Sequence, residues 1–401
     1  MEPASDRHIL TINSGSSSLK AALYRVVAEN LELQRFMLAE QIGLPEARFH
    51  VSDGSGRPIL TVPGDLPDQT AALMAVFQAV EHAELSAVGH RVVHGGNTYS
   101  QPQRVEQGLV RTLRGLVSID PLHLPQAIAT IEAVGRLRPD IPQVACFDTA
   151  FHRSMPPVAQ RYPLPRDLVQ GGIIRYGFHG LSYEYITEQL RTLDSAADHS
   201  RVIVAHLGNG ASMAAIRDGH SIETTMGFTP TGGLVMGTRS GDLDPGVLVH
   251  LATAERMNPQ QLSDVVNRRS GLLGVSGCSS DMRELLDLEG TAPHAAEAVS
   301  LFCYQARKFV GALAAVLGGL DTLVFTAGIG ERAPVVRQRI CDGLEFLGIR
   351  LDGARNGSNA PVISADGNPV TVRVIPTDED LMIARHTQRL VWGQGASNVS
   401  V

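Results

Sequence analysis

Short apolar runs rich in β-branched residues alternate along this chain with stretches whose apolar positions recur at helical spacing. Ile9 to Ile12 reads as a strand, the Gly15 and serine cluster as a tight turn, and Leu19 to Val27 as the returning strand. The same order recurs at Arg201 to Leu207, Gly208-Asn209-Gly210 and Ser212 to Ile216, with Asp218-Gly219 as a further hairpin turn. A third strand-to-glycine element, Thr322 to Thr326 followed by Gly328-Ile329-Gly330, leads into a helical pattern from about Pro334 to Leu347, and such strand ends commonly hold ligands. Helices are expected at Gln69 to Glu84, Pro125 to Leu137, Leu181 to Leu193, Gly246 to Arg256, Ala295 to Leu317 and Asp378 to Val391. From about Thr224 to Asp244 neither period holds, and a Gly- and Thr-rich irregular segment of that length is usually functional. The alternation indicates an α/β protein, and the two similar hairpins suggest a duplicated fold.

Composition sharpens this picture. With 401 residues, 43% hydrophobic and 19% charged, the chain exceeds the usual single-domain size, so two domains are expected. A formal net charge of -7 and the lack of a Lys/Arg run argue against a nucleic-acid partner. Met1 to Arg7 is polar and acidic, unlike the start of a secretory signal, so export is not expected. Phe309 to Leu320 is too short to cross a bilayer and reads as a buried helix, so no membrane is expected. Cys146, Cys278, Cys303 and Cys341 lie far apart, without zinc or disulfide spacing, which fits a reducing cytoplasm.

Several clusters could carry chemistry. Asn13 to Lys20 gathers Ser16, Ser18, a glycine turn and an ammonium group, as a polyphosphate clamp requires, although a plain Ser/Gly hairpin would look the same. Lysine occurs only at Lys20 and Lys308, while arginine serves elsewhere, so a compact point charge beside this loop looks selected. The segment is neither a P-loop nor a dinucleotide-binding fingerprint. Arg91 and two histidines stand at an apparent strand end, a place that solvated charges would also fit. Asp148 is a lone acid among apolar neighbours and needs a cation, supplied either by a structural salt bridge or by a site. His179 sits between an aromatic and a glycine, where a satisfied core histidine is the commoner outcome. Arg239, delivered by a Gly/Ser turn, can reach planar charged oxygens bidentately unless it is merely exposed. Thr377-Asp378-Glu379-Asp380 reads as a helix cap with acids in the first turn, and Glu379 could also serve magnesium.

In order and spacing, from about Ile9 to Thr387, these motifs resemble the acetate kinase family of the sugar-kinase, chaperone and actin superfamily. The resemblance implies two duplicated actin-like, ribonuclease H-like domains with a nucleotide cleft between them. Residues 1–150 plus a C-terminal helix at 384–401 would form the N-terminal domain, and 151–383 the nucleotide-binding one. It further implies reversible in-line phosphoryl transfer from ATP to acetate, giving ADP and acetyl phosphate, with Mg2+ or Mn2+ as cofactor and a cytoplasmic homodimer as the state. Carried onto matching positions, Asn13 and Glu379 organise the metal, and Ser16, Ser18 and Lys20 hold phosphates. Arg91 and Arg239 bind the carboxylate and the transferring group, Asp148 is the catalytic acid, and His179 stabilises the transition state. The nucleotide lies against His206, Leu207, Gly208, Asn209 and Gly210, against Asp281, Met282 and Arg283, and against Gly328, Ile329, Gly330, Glu331 and Arg332. Val93, Leu122, His123, Phe178 and Pro230 line the acyl pocket with Arg91.

Four positions depart from the family pattern: Leu124 and Tyr183 near the acyl side, Arg332 at the nucleotide, and Asp378 before Glu379. The alternatives are a propionate or butyrate kinase, or another phosphoryl donor. A nucleotide switch like actin or a chaperone is disfavoured, because it needs no second pair of arginines.

Overall fold

In the computed structural model, residues 7–15, 17–63, 65–193 and 200–393 are described; Ser16, expected at the phosphates, lies outside them. The chain divides into two compact units, Met1–Ala150 with Asp378–Val401, and Phe151–Thr377.

The first unit is built on strands β1 (His8–Ser14), β2 (Ser18–Val27), β3 (Asn30–Glu40), β4 (Arg48–Asp53), β5 (Pro58–Pro63), β6 (Leu85–Val92), β7 (Gln103–Arg104) and β8 (Gln143–Phe147). They form one sheet in the order β5-β4-β3-β2-β1-β6-β8-β7, with β1 parallel to β6 and β6 parallel to β8. One face buries Leu10, Ile12, Leu19 and Met37 with Leu73, Val76 and Val134 from helices Gln69–Ala79 and Leu124–Leu137. The other buries Ile9, Ala22, Tyr24 and Ala87 against Ala384 of helix Glu379–Trp392. Period-two alternation along β1 and β2 thus feeds both layers.

The second unit contains β9 (Arg201–Leu207), β10 (Ala211–Arg217), β11 (His220–Thr224), β12 (Thr322–Thr326) and β13 (Thr371–Val374), in the order β11-β10-β9-β12-β13. Helix Gly180–Leu193 covers one face through Tyr183, Ile186 and Leu190. Helix Pro293–Leu317 buries Ala295, Ala298, Val299, Phe302, Ala306, Val310 and Leu313 at helical spacing and ends on Gly318 at φ 70°. In both units a hairpin and its third antiparallel strand continue into two parallel strands, β3-β2-β1-β6-β8 and β11-β10-β9-β12-β13. This is the duplicated actin-like topology.

Three expectations change. The C-terminal helix belongs to the first unit along its whole length, because Asp378 caps it by accepting from Leu381 N–H at 2.8 Å; the division therefore falls after Thr377 rather than at 384. Helical structure starts ahead of Pro334: Ala327 at φ 63° bends the chain out of β12, and Ala327–Arg332, with Gly328-Ile329-Gly330, is already helical. The following helix ends at Cys341, where Gly343 takes φ 83°, instead of reaching Leu347.

Candidate active site

In the first unit the carboxyl ends of the parallel strands carry the polar residues. Asn13, next to last in β1, lies opposite Lys20 on β2, so both point to one face. Gly15 N–H closes the hairpin on Ser18 O at 2.8 Å, and a Cβ on Gly15 would come within 2.9 Å of Ser18 Oγ. Arg91, on β6, donates through Nε to Asp148 Oδ1 at 3.1 Å and through Nη2 to Asp148 Oδ2, and its Nη1 donates to Asn13 Oδ1 at 3.2 Å. Glu379 Oε2 lies 3.9 Å from Arg91 Nε. Asp148 is fully buried just beyond β8, its N–H donating to Val92 O at 3.0 Å. Burial opposes the Arg91 charge, but Asp148, Glu379 and Asp120 outweigh it and hold the guanidinium pKa above its ordinary value. Asp148 is thereby fixed as the ion-pair partner of Arg91, the salt-bridge outcome.

Oxygen donors from Asn13 and Glu379 flank Arg91, whose guanidinium meets the carboxylates of Asp148, Glu379 and Asp120. Such a hard, net-acidic set suits a divalent ion like magnesium, which takes few protein ligands and fills its shell from phosphate and water. Among the described residues there is no cluster of three or more His, Cys, Asp or Glu that could hold a metal. Of the acyl-side residues, Val93 is buried, while Leu122 and His123 are half-buried, with His123 Nδ1 lying 2.8 Å from Asp120 Oδ1.

In the second unit His179 and Arg239 converge on the β9–β10 turn. His179 takes φ 60°, a left-handed conformation costly for histidine, in a turn anchored by the buried His152, whose Nε2 lies 3.0 Å from Phe178 O. Desolvation drives His152 down to about 4, so it stays neutral. A Cβ placed on Gly210 would stand 2.8 Å from Arg239 Nη2 and 3.3 Å from His179 Nε2. Both nitrogens therefore overhang bare backbone that only glycine leaves open. Arg239 Nη1 donates to Pro230 O at 2.7 Å, fixing the fork.

The irregular 225–244 segment satisfies its backbone locally: Gly237 N–H donates to Asn209 O at 2.9 Å, and Leu272 N–H donates to Met236 O at 2.8 Å. His206 stacks on His179 with ring centroids 4.1 Å apart. Asp281 caps helix Met282–Leu288 by accepting from Arg283 N–H at 2.8 Å, with Met282 buried and the Arg283 side chain exposed. In helix Ala327–Arg332, Gly328 and Arg332 are exposed, Gly330 is buried, and Glu331 Oε1 accepts from Thr377 N–H at 3.1 Å.

The sequence reading missed Ser212 and noted Tyr183 only as a departure from the family pattern; with Ser182, both stand behind the two histidines. The hairpin register carried one signal, since β9–β10 pairing sets Ser212 directly across from His206.

Residues 8–385 match the model of the Acetokinase family. The chain belongs to the acetokinase family. An acetate kinase of Rhodopseudomonas palustris is 47% identical over 395 residues, covering 96% of this chain and 98% of that protein. Among solved structures, the Porphyromonas gingivalis acetate kinase aligns with a TM-score of 0.86 and 38% identity over 96% of this chain and 100% of its own. A propionate kinase from Francisella tularensis aligns with a TM-score of 0.90 and 34% identity, again over 96% and 100%. This acetokinase-family chain thus shares its fold with kinases of two short carboxylates.

Proposed function

We propose that this acetokinase-family phosphotransferase moves the γ-phosphoryl group of ATP to acetate, reversibly, giving ADP and acetyl phosphate. The observation that carries the reading is the convergence of Arg239 Nη2 and His179 Nε2 over bare Gly210, two donors set for the oxygens of a transferring phosphoryl group. An acetate oxygen forms the new bond to phosphorus as the bond from phosphorus to the β–γ bridging oxygen breaks. The acceptor is already ionised near neutral pH, so no proton moves. Asp148 accordingly serves by holding Arg91 for the acetate carboxylate rather than as an acid. Val93, Leu122, Phe178 and Pro230 bound the methyl group. Asn13 and Glu379 hold magnesium, or manganese, which neutralises phosphate charge. Ser18 and Lys20 hold phosphate oxygens, and the 206–210, 281–283 and 328–332 segments take the nucleotide.

We extend the reading to a cytoplasmic homodimer. Helix Pro245–Thr253 buries none of its residues and exposes Val247, Leu248 and Val249, apolar side chains spread around an uncovered helix and suited to burial against a second copy of the chain. Among the described residues no helix is long and apolar enough to cross a membrane.

The test is direct. Purified protein with ATP, magnesium and acetate yields acetyl phosphate, trapped as the hydroxamate by hydroxylamine. No hydroxamate from acetate, propionate or butyrate would sink the proposal. A higher kcat/KM for propionate than for acetate would reassign the substrate, since a methylene in such a pocket is worth only about 1–3 kcal/mol.

A further inference from the structure

The stacked rings of His179 and His206 share one supporting arrangement. Nδ1 of His179 lies 2.8 Å from Ser212 Oγ, and Nδ1 of His206 lies 2.9 Å from Ser182 Oγ. Each serine then meets a second hydroxyl: Tyr183 Oη stands 2.5 Å from Ser212 Oγ, and Thr377 Oγ1 donates to Ser182 Oγ at 2.8 Å. Tyr183, Ser212 and Ser182 are fully buried, so these hydroxyls stand apart from bulk water.

The direction of each chain follows from its outer member. Thr377 donates to Ser182, which leaves the serine proton for His206 Nδ1. A phenol is a stronger donor than an alkyl hydroxyl, so Tyr183 donates to Ser212 and the serine proton goes to His179 Nδ1. A neutral imidazole whose Nδ1 accepts carries its own proton on Nε2. Both Nε2 atoms face the glycine turn, 3.3 Å from a Cβ placed on Gly210 for His179 and 3.9 Å from one placed on Gly208 for His206. A carboxylate behind Nδ1 would favour imidazolium, and two such cations with centroids 4.1 Å apart would repel. A hydroxyl fixes the ring without charging it.

We propose that Tyr183 with Ser212, and Thr377 with Ser182, are positioning pairs that lock His179 and His206 as neutral Nε2–H tautomers, two uncharged hydrogen-bond donors aimed at phosphate oxygens over the 208–210 turn. The tautomers stand on geometry alone, while their use on phosphate rests on the proposed function.

Protein carrying 15N-labelled histidine, free of ligand near neutral pH, reads the tautomers directly from its imidazole nitrogen shifts, with assignment by loss of signal in His179→Gln and His206→Gln. Both rings are expected with a protonated Nε2 and a bare Nδ1. Ser212→Ala is expected to mix the His179 tautomers and to lower kcat by about 10²-fold, the usual loss of one transition-state donor, with KM for acetate little changed. Tyr183→Phe keeps the ring volume and is expected to act in the same direction more weakly, which guards against a poorly folded Ser212→Ala. A protonated Nδ1 on either ring of the native protein overturns the inference. A mixed tautomer with undiminished kcat overturns the donor role of His179. Nε2–H tautomers in a protein that makes no acyl phosphate would leave the locking pairs standing and remove the proposed function instead.

Discussion

Gly89 of β6 lies directly beneath Thr387 of the C-terminal helix: a Cβ at 89 would come within 2.3 Å of Thr387 Oγ1, and within 2.5 Å of Ile383 Cγ2. The missing side chain lets helix Glu379–Trp392 settle on the sheet and bring Glu379 to Arg91. Gly89→Ala is expected to destabilise the protein by about 1–3 kcal/mol through overpacking. It is also expected to raise the magnesium concentration needed for half-maximal activity, because Glu379 rides on the displaced helix. Urea titration and a magnesium titration of activity check the two halves, and an unchanged stability would show that the helix shifts freely.

Arg239 shares its fork between Pro230 O and the space over Gly210. Arg239→Ala is expected to lower kcat by about 10²- to 10³-fold, the range for losing one preorganised donor, while circular dichroism and Tm stay close to native because the side chain lies outside the core clusters. Turnover near the native rate would remove Arg239 from the mechanism.

These residues differ in how legible they were. The β1–β2 and β9–β10 hairpins stood out because strand period and glycine turns are local signals, and they located Asn13, Lys20 and the 208–210 turn. Strands β3, β4 and β5 went unread, since extension of a sheet edge depends on which neighbour pairs. Gly328 to Gly330 were legible as glycines following β12, but not that Ala327 makes the bend and that the glycines lie within a helix, because nothing in an alanine marks a left-handed backbone. Ser212 was silent, and Tyr183 stood out only as a departure from the family pattern, because a lone serine in a strand has no pattern until packing brings it to His179 on one side and to the tyrosine hydroxyl on the other.

Acid should loosen the fold through two buried histidines. Desolvation pulls His90 and His152 down to about 4, with the contact to Gln143 opposing it at His90 and the Phe178 carbonyl opposing it at His152. Each ring stays neutral in the fold but binds a proton in the unfolded chain below its ordinary value of 6.5. The unfolded state therefore holds more protons in that window. Stability is full above pH 6.5 and is lost as pH falls toward 4, by about 2 kcal/mol per histidine between pH 7 and pH 5. Urea unfolding at the two pH values measures the fall, and His90→Gln is expected to remove about half of it; a flat profile would mean that one or both rings reach water.

The proposed dimerisation through helix Pro245–Thr253 has a sharp test. Val249 is 62% exposed within the chain, beside the exposed Val247 and Leu248 of the same helix. Val249→Glu is expected to convert a dimer into a monomer by sedimentation without lowering the Tm of the isolated chain, because a charge there is excluded only from a buried interface. A native protein that sediments as a monomer would refute the assignment of this helix.

Arg337 is wholly buried, yet its hydrogen bonds run only to neutral acceptors: Gly330 O at 2.8 Å, Asn356 Oδ1 and O at 2.8 Å each, and Asn359 Oδ1 at 2.6 Å. Desolvation lowers its pKa to about 10, so the guanidinium remains charged across the working pH range. Its hold on Gly330 ties helix Ala327–Arg332, on the nucleotide side of the proposed site, to the 356–359 turn. Arg337→Met relieves the burial of a charge but leaves four acceptors without their donor, at about 1–3 kcal/mol for each that stays buried. The expected result is a less stable protein whose KM for ATP rises several-fold while KM for acetate stays near native, because Gly330 lies on a segment proposed for the nucleotide. Equal rises in both constants would mean that Arg337 supports the fold generally, without favouring the nucleotide segment.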